Sequence, residues 1–174
     1  MRRDYFKMNK KEFQEHQIRD EIQISYKYTL GGQSKFFIDL LNDKKLLGTK
    51  CKECGKIWMP PRIACSDCYE DTEWTELPHT GTIEVSTIVW YTTSDFIQNV
   101  PYGIAFIRLD EADTAMLQGI FSENLVPSKI KKGERVRAVF KNKESREGKI
   151  TDFFFVPEAE YENWIQRPEF EGGK

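Results

Sequence analysis

The stretch that decides the fold is "CKECGKIWMPPRIACSDCYE", which runs from Cys51 to Glu70. It holds two Cys-x-x-Cys pairs, Cys51 with Cys54 and Cys65 with Cys68, separated by ten residues. Each pair places two thiolates on one tight turn, and two facing turns complete the four-sulfur tetrahedron that Zn²⁺ prefers. The sequence therefore predicts a small zinc module with these four cysteines as its metal ligands.

A filled Cys₄ shell leaves the metal no open coordination position, which favours a structural role over Lewis-acid chemistry. Iron in a rubredoxin-like site uses the same four ligands, so the identity of the metal stays open at this point. The chain has four cysteines in total, and no thiol remains for nucleophilic catalysis. Gly55 after the first pair suits a left-handed turn, whereas Tyr69 at the matching position predicts a slightly different second turn.

The composition describes an ordinary folded protein of 174 residues, 39% hydrophobic and 31% charged, which is enough for about one domain and an appendage. A formal net charge of −2 argues against a dedicated binder of nucleic acid or anionic membranes. The amino terminus has no apolar signal-peptide core, and the chain has no long apolar run. We therefore expect a cytoplasmic protein without membrane association, with His16 and His79 at its surface.

Helices are predicted only before the cysteines. A short one is expected around Lys10 to Asp20, followed by an extended piece. A second is predicted to begin at Ser34 and to run to Leu47, because apolar residues recur at helical spacing and Gly48 is a natural stop.

From Gly81 onwards, short segments rich in β-branched and aromatic residues alternate with turn signals. Five strands are predicted, and they favour a Greek-key barrel of the OB type, with a two-sheet sandwich as the alternative. The sequence "DEAD" at Asp110 to Asp113 is interpreted as a polar hairpin turn. The alternation in "ERVRAVFK", from Glu134 to Lys141, predicts a strand with one wet face. The predicted strands are Thr82 to Tyr91, Gly103 to Leu109, Thr114 to Phe121, Glu134 to Lys141 and Lys149 to Val156.

Two basic clusters stand out, from Lys44 to Arg62 and from Lys129 to Lys149. They can be solvated faces that also shield thiolate charge, or they can bind a polyanion. An OB face with stacking residues nearby suits the second interpretation. The aromatic residues near that face are Trp90, Tyr91, Tyr102 and Phe106.

Three stretches together suggest a family: "LLGTKC" at Leu46 to Cys51, "PPR" at Pro60 to Arg62, and "TGTIEVST" at Thr80 to Thr87. In this order, from Tyr26 to Val156, the chain resembles the zinc-ribbon and OB-fold proteins that accompany thiolase-type enzymes. The second cysteine pair reads "CSDCYE" where that family usually has Cys-Pro-x-Cys-Gly.

The resemblance implies a mainly β fold with an N-terminal helix or helices, a rubredoxin-like zinc ribbon and a five-stranded OB-fold barrel. We expect an N-terminal extension and helical segment at 1–48, the ribbon at 49–77 and the barrel at 78–157. An acidic tail should follow at 158–174, with Trp164 and Phe170 as docking points.

The resemblance also implies a non-catalytic accessory subunit that assembles with a thiolase-like catalytic subunit acting on acyl-CoA. That partner would supply the catalytic cysteines and histidines, in agreement with the absence of a spare cysteine here. The alternative is an OB-fold module that binds single-stranded nucleic acid, which steep salt dependence would reveal.

The resemblance further implies binding of the CoA moiety, whose phosphates would suit four basic residues: Lys50, Lys52, Lys56 and Arg62. We expect the partner to contact the predicted second helix and the ribbon through Phe36, Phe37, Leu40, Leu41 and Trp58. Apolar residues of the extension, Tyr5, Phe6, Phe13 and Ile18, are expected to wrap a partner as well.

Overall fold

The computed structural model describes residues 24–91 and 101–173. The helix predicted around residues 10–20, His16 and the apolar residues of the extension lie outside these ranges. Within them, no helix combines the length and the hydrophobicity needed to cross a membrane.

The first helix, α1, spans Ser34–Asp43 and buries Phe36 and Leu40. It ends because Lys44 adopts a left-handed conformation, with φ of 57°, and its amide donates back to the carbonyls of the last turn. The prediction that this helix continues to Leu47 was wrong. A cap formed by a lysine, and not by a glycine, gave no sequence signal.

The ribbon is a three-stranded antiparallel sheet of β1 (Leu46–Cys51), β2 (Ile57–Trp58) and β3 (Thr72–Leu77), in the order β2-β1-β3. Gly48, predicted to stop the helix, lies inside β1. A Cβ atom at this position would lie 2.8 Å from the backbone oxygen of Trp58, so Gly48 is required for close strand packing.

The barrel is closed by five strands in the order β4-β5-β6-β8-β7, with β7 pairing back to β4. β6 and β8 run parallel, while the other pairs in the ring are antiparallel. The predicted OB-fold barrel is confirmed, and the sandwich alternative is excluded. The strands are β4 (Thr80–Val89), β5 (Tyr102–Leu109), β6 (Met116–Ile120), β7 (Arg135–Lys141) and β8 (Phe153–Pro157).

The C-terminal residues fold back on the barrel as helix α2 (Tyr161–Ile165) and strand β9 (Phe170–Gly172), which pairs with β7. Trp164 is buried, with its ring centroid 5.3 Å from that of Phe154. The segment expected as an acidic tail with aromatic docking points is therefore folded, as helix α2 and strand β9. Its aromatic residues pack against this chain's own barrel.

This C-terminal cap explains why two strands are buried on both faces. In β7, Val136, Ala138 and Phe140 are buried as predicted, but Val139 on the opposite face is buried as well. The prediction of one wet face was wrong for this part of β7. In β8 every residue is buried, because alternate side chains enter the barrel core and the second cluster beneath the cap.

Ribbon and barrel share one apolar core and a polar seam. The main hydrophobic cluster contains ribbon and barrel residues together. At the seam, the amide of Asp113 donates to the carbonyl of Ile57 at 2.9 Å, and the Thr114 hydroxyl bonds both the amide and the carbonyl of Met59. The polar turn between β5 and β6 therefore fastens the ribbon to the barrel.

Candidate metal centre

The first cysteine pair lies where β1 ends. The amide of Gly55 donates to the carbonyl of Cys51 at 3.1 Å, and the amide of Cys51 donates to the carbonyl of Lys56 at 2.9 Å. These two bonds close a tight turn, and Gly55 takes the left-handed conformation that this turn needs, with φ of 74°. The turn leaves its backbone amides directed at the sulfurs.

The second pair repeats this geometry without a glycine. The amide of Tyr69 donates to the carbonyl of Cys65 at 3.0 Å, and the amide of Cys65 donates to the carbonyl of Glu70 at 2.8 Å. Tyr69 has φ of 62°, so it occupies the same left-handed region as Gly55. The prediction of a different second turn was wrong. The backbone pattern is preserved, at the conformational cost of a left-handed tyrosine.

The two turns bring the four cysteine sulfurs together. No two Sγ atoms are more than 4.8 Å apart. Cys51 Sγ lies 3.3 Å from Cys68 Sγ, and Cys54 Sγ lies 3.7 Å from Cys65 Sγ. A tetrahedron with metal–sulfur bonds of about 2.3 Å has sulfurs separated by roughly 3.8 Å, so this donor set fits a four-coordinate Zn²⁺.

Two of the thiols are prepared for ionisation by backbone amides. The pKa of Cys51 is lowered, chiefly because the amide of Cys54 bonds its sulfur. For Cys65, burial alone would raise the pKa, but the amides of Cys68 and Asp67 outweigh it and lower the pKa to about 6. Each turn therefore offers one readily formed thiolate.

The other two thiols are held protonated by these neighbours. The hydrogen bond with Cys51 raises the pKa of Cys68 to about 12. The amide of Lys56 lowers the pKa of Cys54, but contact with the Cys51 sulfur and burial raise it overall. Four thiolates at these distances need a divalent cation among them, because their mutual repulsion is otherwise uncompensated.

The ribbon's basic residues surround an aromatic ring beside the sulfurs. The Nζ atom of Lys56 lies 4.3 Å and the guanidinium of Arg62 lies 4.6 Å from the ring of Trp58. Lys56 also pairs with Asp67 at 2.7 Å, which raises the pKa of its ammonium group. Lys50 and Lys52 are exposed nearby, and Lys50 lies opposite Glu73 in the sheet.

Three of the five residues expected to contact a partner are internal. Phe36 and Leu40 belong to this chain's main core, and Trp58 is packed against the cysteines with 5% of its surface exposed. The expectation of a surface role for these three was wrong, because the apolar stripe of α1 faces its own chain. Phe37 and Leu41 are partly buried.

Sequence reasoning also missed two structural residues. His79, expected at the surface, is buried with its ring 5.0 Å from that of Phe140. Thr114 was assigned to a strand, and its bonds to the ribbon had no sequence signal beyond the polar turn before it.

Comparisons with known proteins agree with both halves of the fold. Residues 39–75 match the family model of the ChsH2 rubredoxin-like zinc ribbon domain, and residues 74–141 match that of the ChsH2 C-terminal OB-fold domain. Among solved structures, the one named Ltp2-ChsH2(DUF35) aldolase aligns with a TM-score of 0.55 at 19% identity. That alignment covers 75% of this chain and 98% of that one, and it shows likeness of fold.

Two archaeal relatives are similar in sequence. A DUF35 domain-containing scaffold protein of Methanocaldococcus jannaschii is 35% identical over 98 residues, which are 55% of this chain and 67% of that protein. A protein of the same description from Methanothermobacter thermautotrophicus is 30% identical over 119 residues, which are 66% of this chain and 87% of the relative.

Proposed function

Because this chain belongs to the family of DUF35 scaffold proteins of the ChsH2 type, we propose that it is a non-catalytic accessory subunit of a thiolase-type acyl-CoA enzyme. The observation that carries this proposal is the gathering of all four cysteines of the chain into one cluster. A chain whose thiols are all committed to a metal cannot supply the cysteine nucleophile of such an enzyme. The description of its relatives as scaffold proteins supports the same role.

The metal would be Zn²⁺, held by Cys51, Cys54, Cys65 and Cys68. Its chemistry there is structural, since four thiolates fill a tetrahedral shell. The residues around it, Lys56 and Arg62, offset the negative charge of the thiolates. Iron in the same shell remains the alternative, and elemental analysis of the purified protein separates the two metals. The proposal places the protein in the cytoplasm, where reducing conditions keep cysteines available for metal.

The proposed partner is a thiolase-like subunit in a hetero-oligomer. Support comes from the resemblance of the sequence to proteins that accompany such enzymes, and from the name of the solved structure, which pairs a DUF35 chain with an aldolase. The partner would provide the acid, base and nucleophile of the reaction. Phe37, Leu41 and the ribbon surface remain candidate contacts.

Binding of the CoA moiety is part of the proposal. Lys50, Lys52, Lys56 and Arg62 are candidates because a cluster of cations attracts phosphates. Of these, Lys56 is committed to Asp67, while Lys50 and Lys52 extend into solvent. The competing function, binding of single-stranded nucleic acid, is supported by Trp90 and Tyr91, which leave 61% and 82% of their surfaces exposed beside the barrel.

Co-expression with a thiolase-type subunit of the same genome tests the proposal. We expect the two chains to co-purify in a fixed ratio and the complex to turn over an acyl-CoA thioester. The isolated chain should show no turnover. Turnover by the partner-free chain would overturn the proposal, and so would a partner that stays separate and is fully active alone. Binding of the chain to a single-stranded nucleic acid at low salt, with steep loss of that binding at moderate salt, would favour the competing function.

A further inference from the structure

A second candidate site lies where the barrel wall opens. β4 pairs with β7 only through Thr80, Gly81 and Thr82, and a bulge follows between Ile83 and Val85. Beyond it, β4 faces the crossing segment between β6 and β7, where the hydroxyl of Ser86 donates to the carbonyl of Ile130. The bulge bends the strand, and a space lined by both the strand and the segment lies beside this contact.

This space is a cavity of about 500 Å³. Its walls are largely apolar, and three features of its lining are chemically distinctive. Trp90 leaves 61% of its surface exposed. Lys131 and Lys132 are exposed and form no ion pair with any residue of the two described ranges, whereas the neighbouring Lys129 pairs with Glu160 at 3.5 Å. The Glu84 carboxylate at this site is paired with Arg108 at 2.9 Å. The other lining residues are Val85, Ser86, Thr87, Ile88, Pro127 and Ile130.

These features together fit a ligand that joins a planar base to phosphates. An exposed indole ring offers a stacking surface for a planar base, and two uncompensated ammonium groups attract phosphates. The volume lies within the range of small-molecule sites, which is about 300–1,000 Å³. We infer that this barrel cavity binds the adenine nucleotide end of a CoA thioester, with Trp90 against the base and Lys131 and Lys132 on the phosphates. The inference deepens the proposed function and rests on its acyl-CoA part.

The other cavities fit this chemistry less well. A cavity of about 580 Å³ beside the ribbon has Arg62 as its one cation and no aromatic residue in its lining. A cavity of about 680 Å³ under the C-terminal cap is rich in aromatic residues, but both of its cations are engaged. There Lys141 lies 3.6 Å from Asp152, and the guanidinium of Arg167 lies 3.8 Å from the ring of Trp164.

The basic residues of the ribbon, Lys50, Lys52, Lys56 and Arg62, form a ribbon cluster that also lacks a free stacking surface. Trp58 is buried, and Lys56 and Arg62 already lie against its ring. The barrel cavity and the ribbon cluster therefore make opposite predictions for the same ligand. Charge reversal at Lys50 and Lys52 therefore tests the rival site against charge reversal at Lys131 and Lys132, because both pairs are exposed lysines.

Titration calorimetry on the zinc-loaded full chain, with ADP, CoA and inorganic phosphate as separate probes, tests the inference. We expect ADP and CoA to bind similarly and phosphate far more weakly. K131E/K132E should weaken CoA binding by about tenfold or more, and W90L by about tenfold, in line with the usual contribution of base stacking. K50E/K52E tests the ribbon candidates in the same assay, and we expect it to weaken CoA binding less than K131E/K132E does.

The inference is overturned if ADP and CoA do not bind, or if K50E/K52E weakens CoA binding more than K131E/K132E does. Tighter binding of an oligothymidylate than of CoA, lost in W90L, would assign the cavity to nucleic acid and overturn the CoA assignment. Co-purification of each variant with the thiolase-type subunit is measured in parallel. If K131E/K132E still assembles with that subunit, the accessory role stands even where the CoA measurements contradict this inference.

Discussion

The ribbon and the barrel are stabilised by different interactions. The ribbon buries little apolar surface of its own around Cys51, Trp58 and Cys65, and its two turns need a cation between their sulfurs. The barrel closes through strand pairing and a core with Phe140 and Phe155 fully buried. The difference teaches that a metal gives a short segment the rigidity that a domain obtains from its core. The proposed metal centre lies in the ribbon and the proposed nucleotide site lies in the barrel, so each can be perturbed separately.

Removal of the metal should have the largest effect. Binding of Zn²⁺ contributes on the order of 10 kcal/mol to the folding of small zinc modules. We expect a chelator, or Cys65→Ser, to unfold the ribbon turns while barrel amides such as that of Ile107 remain protected in hydrogen exchange. Ser66→Ala, one residue away with an exposed side chain, is the control. A metal-free chain whose ribbon amides stay fully protected would contradict the claim that the metal orders the ribbon.

Truncation in the barrel core should come next. Phe140→Ala removes a fully buried ring and should lower the free energy of unfolding by about 3–5 kcal/mol. Phe106→Ala is the matched control, since that ring lies on the outer face of β5 with 44% of its surface exposed, and should cost less than about 1 kcal/mol. Denaturant titration measures both. Equal losses would contradict the placement of the core.

Loss of the hydrogen bonds at the seam should lower the free energy of unfolding less than either of the two preceding changes. Thr114→Val keeps the shape of the side chain but removes the hydroxyl that bonds both backbone groups of Met59. We expect a loss of about 1–2 kcal/mol, because buried backbone groups are left without a partner. Thr87→Val, at an exposed position of β4, should change stability by less than about 0.5 kcal/mol. An unchanged Thr114→Val protein would show that the apolar core alone joins the regions.

A surface ion pair of the barrel should show a pH dependence of its own. Arg135 bonds both carboxylate oxygens of Asp110 at 2.7 Å and lowers the pKa of Asp110 to about 2. Since this pKa lies below the unfolded value of about 3.9, the pair stabilises above about pH 4 and the stabilisation is lost as the pH falls towards 2. Arg135→Met should therefore cost about 1 kcal/mol at pH 7, reduced by solvent exposure, and almost nothing near pH 2. A pH-independent difference in unfolding free energy would contradict the pairing.

The smallest effect should come from the second turn of the ribbon. Tyr69→Gly relieves a left-handed tyrosine whose side chain is 85% exposed, and should stabilise the metal-bound protein by up to about 1 kcal/mol. Gly55→Ala at the equivalent position should destabilise it by about 1 kcal/mol. Thermal unfolding of the two variants measures this. Destabilisation by both substitutions would mean that the exposed ring has a contact of its own to lose.

Local patterns predicted much of this molecule. The spacing of the cysteines predicted their cluster, and β-branched segments between turn signals predicted the five barrel strands to within a few residues. Both features are written in short stretches of sequence. The assignment of a binding role to Lys50 and its neighbours came from charge alone and stays a proposal.

Most of the errors share a physical cause, which is contact between residues far apart in the chain. The burial of His79 and the seam at Thr114 each depend on a distant partner that sequence periodicity cannot identify, whereas the helix end at Lys44 is a local cap. The C-terminal cap is the clearest case. Its composition predicted an acidic tail with Trp164 and Phe170 as docking points, but not that these residues complete a second cluster against β7 and β8 of the same chain. The unbroken apolar run of β8 was the one signal that both its faces are covered.

Native mass spectrometry of the assembly purified with the full-length chain tests the central claim most directly. We predict a hetero-oligomer in which each copy of this 20.5 kDa chain carries a single Zn²⁺ and is bound to a thiolase-type subunit. Cys65→Ser should lose the metal, and with it the ordered ribbon. A chain that is found alone at its own mass, or a metal-free chain that assembles fully, would contradict the account.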